Sequence, residues 1–267
     1  MKEYFRHGNN LILISGHRGG MENGFPENSI EALENTVNQI PQEIGTLFEI
    51  DPRLTKDSVI VLFHDETLER TSNGKGKLID LTLKEVKNLR LKDKEGNITG
   101  FTIPTLEEAI QWAKGKTVLN LDKKDVPMQM TAQFLIEHNA LGHVMVTVHS
   151  PEQALYYLSQ DSRFMFSAFI RNMEELESYE KARIPFNQLM AYVGPLSKPE
   201  NKELYQALNG RGAKAMVSAA PSYDKETNMD QRAVDYIQVF ADGAEVLESD
   251  YPIAVSEALR MVKVQKR

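Results

Sequence analysis

Eight times along this chain a short apolar run of strand length is followed by a stretch long enough for a helix with one apolar stripe. The runs are Leu11 to Ser15, Leu47 to Ile50, Val118 to Leu121, Val144 to Val148, Phe164 to Ile170, Leu189 to Val193, Ala213 to Val217 and Ala244 to Leu247. Strands separated by helices pair in parallel, because a parallel connection needs a crossover of a dozen or more residues. Eight such units with no break in composition fit a closed (β/α)8 TIM-type barrel better than two doubly wound domains. The count holds if Val59 to Phe63 belongs to a short hairpin excursion after the second strand. The expected fold is therefore α/β, one barrel domain over residues 1–267.

Helix-entry signals support the alternation. Thr82 with Glu85 and Thr105 with Glu108 are Thr-x-x-Glu capping boxes, and Asn28 with Glu31 is read as another. Ser150-Pro151 supplies a cap with a first-turn proline, and Asn172 a further cap. A barrel of this kind gathers its active site at the carboxyl ends of its strands. His17, Glu49, Asp51, Asp122, Lys124 and His149 all fall there.

The densest chemistry lies between Phe48 and Asp65. Glu49 and Asp51 are two apart at a strand end, so they share a face. After the turn at Thr55 to Ser58, Val59 to Phe63 returns and delivers His64 and Asp65 beside the acidic pair. Carboxylates suit a hard divalent cation and imidazole suits proton transfer, so the stretch reads as half of a metal-assisted hydrolytic site. The first strand adds Gly16-His17-Arg18-Gly19-Gly20, a loop that lets backbone approach a ligand and offers an acid-base group and a forked phosphate donor. His7, His138 and His143 are expected at the surface or at helix ends, and the 11 methionines as gap fillers.

A net charge of -7 argues against a nucleic-acid partner, and the basic cluster Lys84 to Lys94, interleaved with acids, reads as a solvated helix face. No apolar run is long enough for a membrane span. With no cysteine, disulfides and thiolate chemistry are excluded. No apolar leader core precedes Leu11, which fits a cytoplasmic protein, or an exported one whose leader has been removed.

Taken in order, Gly16-His17-Arg18-Gly19, Pro26-Glu27-Asn28-Ser29, Glu49-x-Asp51, His64-Asp65, Arg70-Thr71-Ser72-Asn73-Gly74 and Ser249-Asp250-Tyr251-Pro252 resemble the glycerophosphodiester phosphodiesterase family, within the phospholipase-C-like phosphodiesterase barrels. The resemblance implies metal-dependent cleavage of glycerophosphodiesters to glycerol 3-phosphate and an alcohol. It puts the two catalytic histidines on His17 and His64 and the metal carboxylates on Glu49 and Asp51. The third carboxylate, usually Glu-x-Lys, falls on Asp122 with Lys124. Aspartate is shorter by one methylene, so the ion would sit nearer that strand or be bridged by water. The family's Trp-Thr-x-Asn pattern is replaced by Met216-Val217-Ser218-Ala219.

On this reading one divalent cation, Mg2+ or Ca2+, is held by Glu49, Asp51 and Asp122, and Arg18 and Lys124 contact the phosphate. His17 acts as base and His64 as acid, and His149 touches substrate. The resemblance also suggests that the glycerol's own hydroxyl attacks first, giving a cyclic phosphate that water opens. A lysophospholipid or sugar phosphodiester remains an alternative substrate, and a non-catalytic phosphate- or polyol-binding barrel an alternative function.

Overall fold

The computed structural model describes residues 1, 4–5 and 11–265, with side chains only to Met261 at the carboxyl end; His7 lies outside the described residues. Eight parallel strands close into a barrel: β1 (Leu13–His17), β2 (Gly45–Ile50), β5 (Val118–Leu121), β6 (Val144–Val148), β7 (Phe166–Phe169), β8 (Leu189–Gly194), β9 (Lys214–Ser218) and β10 (Val246–Ser249), with β1 pairing both β2 and β10. Between β2 and β5 the antiparallel pair β3 (Pro52–Leu54) and β4 (Ile60–Leu62) forms the expected hairpin. Helices α1 (Ile30–Gln39), α2 (Leu83–Val86), α3 (Leu106–Ala113), α4 (Met128–Glu137), α5 (Pro151–Gln160), α6 (Met173–Lys181), α7 (Asn201–Gly210), α8 (Met229–Asp242) and α9 (Pro252–Gln265) complete the order. The eight strand runs read from sequence are the eight barrel strands, displaced at their ends by up to two residues.

Among the described residues three apolar clusters account for the packing. The largest lies between the strands and the surrounding helices. The second fills the barrel floor, where Met145 of β6, Met165 just before β7, Met190 of β8 and Met216 of β9 pack with Leu13, Leu47, Val118 and Val246. Unbranched, adaptable side chains suit a tapering interior. The third, made by Val61, Phe63, Leu68, Leu78, Val86, Leu91 and Ile103, gives the excursion a small core of its own. That segment is therefore more than a hairpin; Leu62 donates its N–H to Pro104 within it, and Phe63 donates to the carbonyl of Asp51, just past the end of β2.

Both Thr-x-x-Glu capping boxes are present, at α2 and α3. The cap of α1 is one residue later than expected: Ser29, not Asn28, accepts from the N–H of Ala32. Asn28 has φ of 59° and turns its side chain elsewhere. His138 ends α4 and its ring meets the Phe134 carbonyl, but His143 is buried, its Nε2 3.1 Å from the Ile110 carbonyl. The stretch Lys84 to Lys94 is helical only over α2; Lys92 and Lys94 reach back over the barrel mouth.

Candidate active site

A cavity of about 800 Å³ opens at the carboxyl ends of the strands. His17 and Glu49 face each other in the register of β1 with β2, and Glu49 faces Asn120 in that of β2 with β5. Glu49 and Asp51 point the same way, as their spacing required, and Asp122 follows β5. One carboxylate oxygen from each of the three lies within 4.8 Å of the others.

Each acid is held by neighbours. Asn28 Nδ2 donates to Asp51 Oδ2 at 2.7 Å while Asn28 Oδ1 accepts from the Asp51 N–H at 3.0 Å, so one loop amide grips both ends of that residue. The Arg18 N–H donates to Glu49 Oε2 at 3.1 Å, and Arg18 Nε lies 3.5 Å from Asp51 Oδ2. Lys124 Nζ donates to Asp122 at 2.7 Å and stands 3.0 Å from Asp51 Oδ1. Asp51 Oδ1 is buried and has this ion pair as its contact, with no further hydrogen bond.

The charges push the acids apart in behaviour. Burial, then Asp51, Asp122 and Glu248, hold the Glu49 carboxyl well above the usual range. Burial opposes ionisation of Asp51 too, but Lys124, the Asn28 hydrogen bond and Arg18 outweigh it and lower its pKa. Three carboxylates, Glu49 and Asp51 buried and Asp122 half-buried, held close enough to repel one another, are the donor set that a hard divalent cation takes. The three residues fit that group.

Both histidines named from sequence have a carboxylate at Nδ1. His17 Nδ1 is 2.6 Å from Asp250 Oδ1, and its Nε2 lies 3.9 Å from Glu49 Oε2. Burial lowers the His17 pKa, yet the Asp250 hydrogen bond and the Glu248 charge more than offset this and raise it. Asp250 is fixed in turn by Asp224, which accepts from its N–H and from Ser249 Oγ. His64 Nδ1 is 2.7 Å from Asp65 Oδ1. Arg70 grips Asp65 at 2.6 and 2.9 Å and Glu27 at 2.8 Å twice, and Glu27 accepts from Arg18 at 3.1 Å. A chain of side chains thus runs from the β1 loop to His64.

His17, Arg18, Glu49 and Asp122 line the cavity; Asp51 and Lys124 join them through the contacts above. His64 and His149 are not among the lining residues. His64 bears on Asp51 through its charge. The His149 ring meets Phe169 edge-on at 4.4 Å, and Phe169, with Tyr192 at 4.7 Å from it, forms part of the wall. Sequence reading missed Glu27, Arg70, Asp224 and Glu248. Glu27, Arg70 and Glu248 line the cavity, and only the motifs around the first two offered a signal.

The family model for the glycerophosphoryl diester phosphodiesterase family matches residues 17–250. The chain belongs to this family. A glycerophosphodiester phosphodiesterase from Caldanaerobacter subterraneus subsp. tengcongensis is 40% identical over 109 residues, 40% of this chain and 42% of that protein. The matched segment thus spans less than half the length of that curated relative. A solved glycerophosphoryl diester phosphodiesterase from Parabacteroides distasonis is 51% identical, with TM-score 0.94 over 98% of this chain and 90% of that one. The glycerophosphodiester phosphodiesterase of Agrobacterium tumefaciens, 18% identical, has TM-score 0.73 over 92% of this chain and all of its own, a likeness of fold alone. Within the glycerophosphoryl diester phosphodiesterase family, then, this chain brings its acids, His17 and Arg18 to the barrel mouth expected of them.

Proposed function

We propose that the chain hydrolyses glycerophosphodiesters of the deacylated-phospholipid type to glycerol 3-phosphate and an alcohol. The observation that carries the proposal is the convergence of Glu49, Asp51 and Asp122 within 4.8 Å at a cavity lined by His17 and Arg18, in a chain of this family. A phosphodiester resists attack because its negative charge repels nucleophiles. A divalent cation, Mg2+ or Ca2+, held by Glu49, Asp51 and Asp122 would supply charge to neutralise the phosphoryl oxygens.

The chain's own residues supply the rest. Arg18, oriented by Glu27, and Lys124, poised between Asp51 and Asp122, bind the phosphate. Asp250 takes the Nδ1–H of His17, which leaves Nε2 as the atom that accepts a proton. The neighbouring glycerol hydroxyl attacks phosphorus and gives its proton to His17. As the bond from phosphorus to the departing alcohol breaks, His64, held through Nδ1 by Asp65, donates a proton to that oxygen. Water then opens the cyclic phosphate by the same exchange in reverse. His149 supports the wall through Phe169.

The test is release of glycerol 3-phosphate from glycerophosphocholine, glycerophosphoethanolamine and glycerophosphoinositol, after chelation and with each cation restored. Release that needs the cation is expected. Silence on all three substrates with both cations would overturn the proposal in favour of a phosphate- or polyol-binding barrel.

A further inference from the structure

Barrels of this architecture ordinarily fill their interior with layers of branched apolar side chains. Here the layer directly above the methionine floor is polar. In the strand register Ser15 of β1 stands beside Glu248 of β10, and Glu248 beside Ser218 of β9. Asn120, Thr147 and Ser167 continue the ring on β5, β6 and β7, with Thr147 Oγ1 donating to Asn120 Oδ1 at 3.1 Å. All six are buried, and all but Ser15 line the same cavity as His17 and Glu49. The cavity therefore continues down the barrel axis into a chamber of hydroxyl, amide and carboxylate groups, with Met216 on its lining.

Glu248 is the group that the reaction above leaves unused. A carboxylate has about four acceptor positions, and a buried one is costly unless they are filled. Glu248 receives two hydrogen bonds, from Ser218 Oγ at 2.9 Å and Ser15 Oγ at 3.2 Å, both from neutral hydroxyls. Its charge is felt at His17 and at Glu49, so it lies just below the acidic cluster and not in a separate site. An anion entering the chamber would meet Glu248 and Glu49 together and be repelled. An acyl chain would have to bury itself against five polar side chains above a packed floor. A small, uncharged group bearing a hydroxyl suits both constraints, since it can donate to the carboxylate and exchange hydrogen bonds with Asn120 and the ring hydroxyls.

We propose that this chamber binds the terminal, unacylated hydroxyl of the substrate's glycerol, with Glu248 as its acceptor, so that Glu248 selects a free polyol over an alkyl or acylated end. The inference rests on the hydrolase reading above and fixes the substrate's direction: glycerol points into the barrel and the departing alcohol toward the mouth. A site built to bond a hydroxyl discriminates strongly against the analogue that lacks it, because its own polar groups are then left unpaired.

The experiment compares kcat/KM for glycerophosphocholine with that for 2-hydroxypropyl phosphocholine, which keeps the attacking hydroxyl and lacks only the terminal one. The wild-type chain, loaded with Mg2+ or Ca2+, should prefer glycerophosphocholine at least tenfold. In Glu248→Gln that ratio should fall toward one, chiefly through a higher KM for glycerophosphocholine. Ser218→Ala, a smaller change should the first variant fold poorly, should lower the ratio in the same direction. Hydrolysis of both substrates with equal kcat/KM by the wild type, or a ratio unchanged in both folded variants, would overturn this inference and leave the hydrolase reading standing. Silence of the wild type on both overturns the two together.

Discussion

Asn28 occupies the left-handed region at φ of 59°, a conformation asparagine tolerates better than most residues, and uses it to clamp Asp51 from both sides. Replacing it with alanine removes a partner that orients a proposed metal ligand, so Asn28→Ala should weaken divalent-cation binding by roughly 10–100-fold. A calorimetric Mg2+ or Ca2+ titration reads this directly; unchanged affinity would mean that Asp51 needs no such support. At the same scale, His17→Ala and His64→Ala should each lower turnover by about 10²–10⁴-fold while cation binding and folding persist, seen in a glycerol 3-phosphate assay beside circular dichroism. The positions of His17, Glu49, Asp51 and Asp122 were legible because each closes an apolar run. Glu248 was not, because a charged residue after Val246-Leu247 reads as the exit from a strand, whereas β10 continues through it to Ser249. Asn28 misled for a related reason: its spacing from Glu31 imitates a cap, and Ser29 fits the same role one residue later.

Among the elements, the parallel strands were readable since each is buried on both sides and so appears as an unbroken apolar run. The excursion between β4 and α3 was not: Val61, Leu68, Leu78, Val86, Leu91 and Ile103 make its core at irregular spacing, with no period to detect. Its tie to the barrel runs through Arg70, whose forked guanidinium holds Glu27 and Asp65 at once and whose pKa those hydrogen bonds raise. Arg70→Lys keeps the charge but not the fork. It should cut kcat about tenfold or more with Tm nearly unchanged if Asp65 must be steadied to orient His64; a kcat equal to that of the wild type would show the excursion seats His64 without it. The end of β1 is equally constrained. A Cβ on Gly16 would lie 2.7 Å from the buried Phe48 ring and 3.1 Å from the backbone of Gly19. Gly16→Ala should therefore lower stability by about 1–3 kcal/mol in urea denaturation.

Taken as a whole, the molecule carries a net charge of -7 and concentrates Glu49, Asp51, Asp122 and Glu248 at one end of its barrel, where Lys124 meets Asp51 and Asp122 and the Arg18 guanidinium meets Asp51. Glu49 and Glu248 have pKa values raised in the folded state, first by burial. Both therefore bind protons more tightly folded than unfolded, and without a cation the stability they contribute is greatest at low pH and is lost as pH rises from about 4.5 through their folded values. Asp51 works in the opposite sense, since its pKa is lowered: its contribution is present above about 3.8 and disappears only as pH falls through its folded value. His17, whose pKa is also raised, acts in the same sense as the two glutamates, whereas His143 and His149, lowered by burial, oppose it up to about 6.5; above that value the chelated protein should therefore lose thermal stability toward pH 8. A divalent cation held by Glu49 as proposed would need that carboxyl ionised, and its uptake would release the proton. Its stabilisation, about 2.7 kcal/mol at a hundred times Kd, should correspond to roughly 5–10 °C in Tm for a chain of this size at pH 8, and should shrink at pH 5.5, where Glu49 competes by holding its proton. Thermal melts in EDTA and in saturating Mg2+ or Ca2+ at the two pH values measure the difference. A cation-induced shift as large at pH 5.5 as at pH 8 would mean that Glu49 is not among the groups the ion binds.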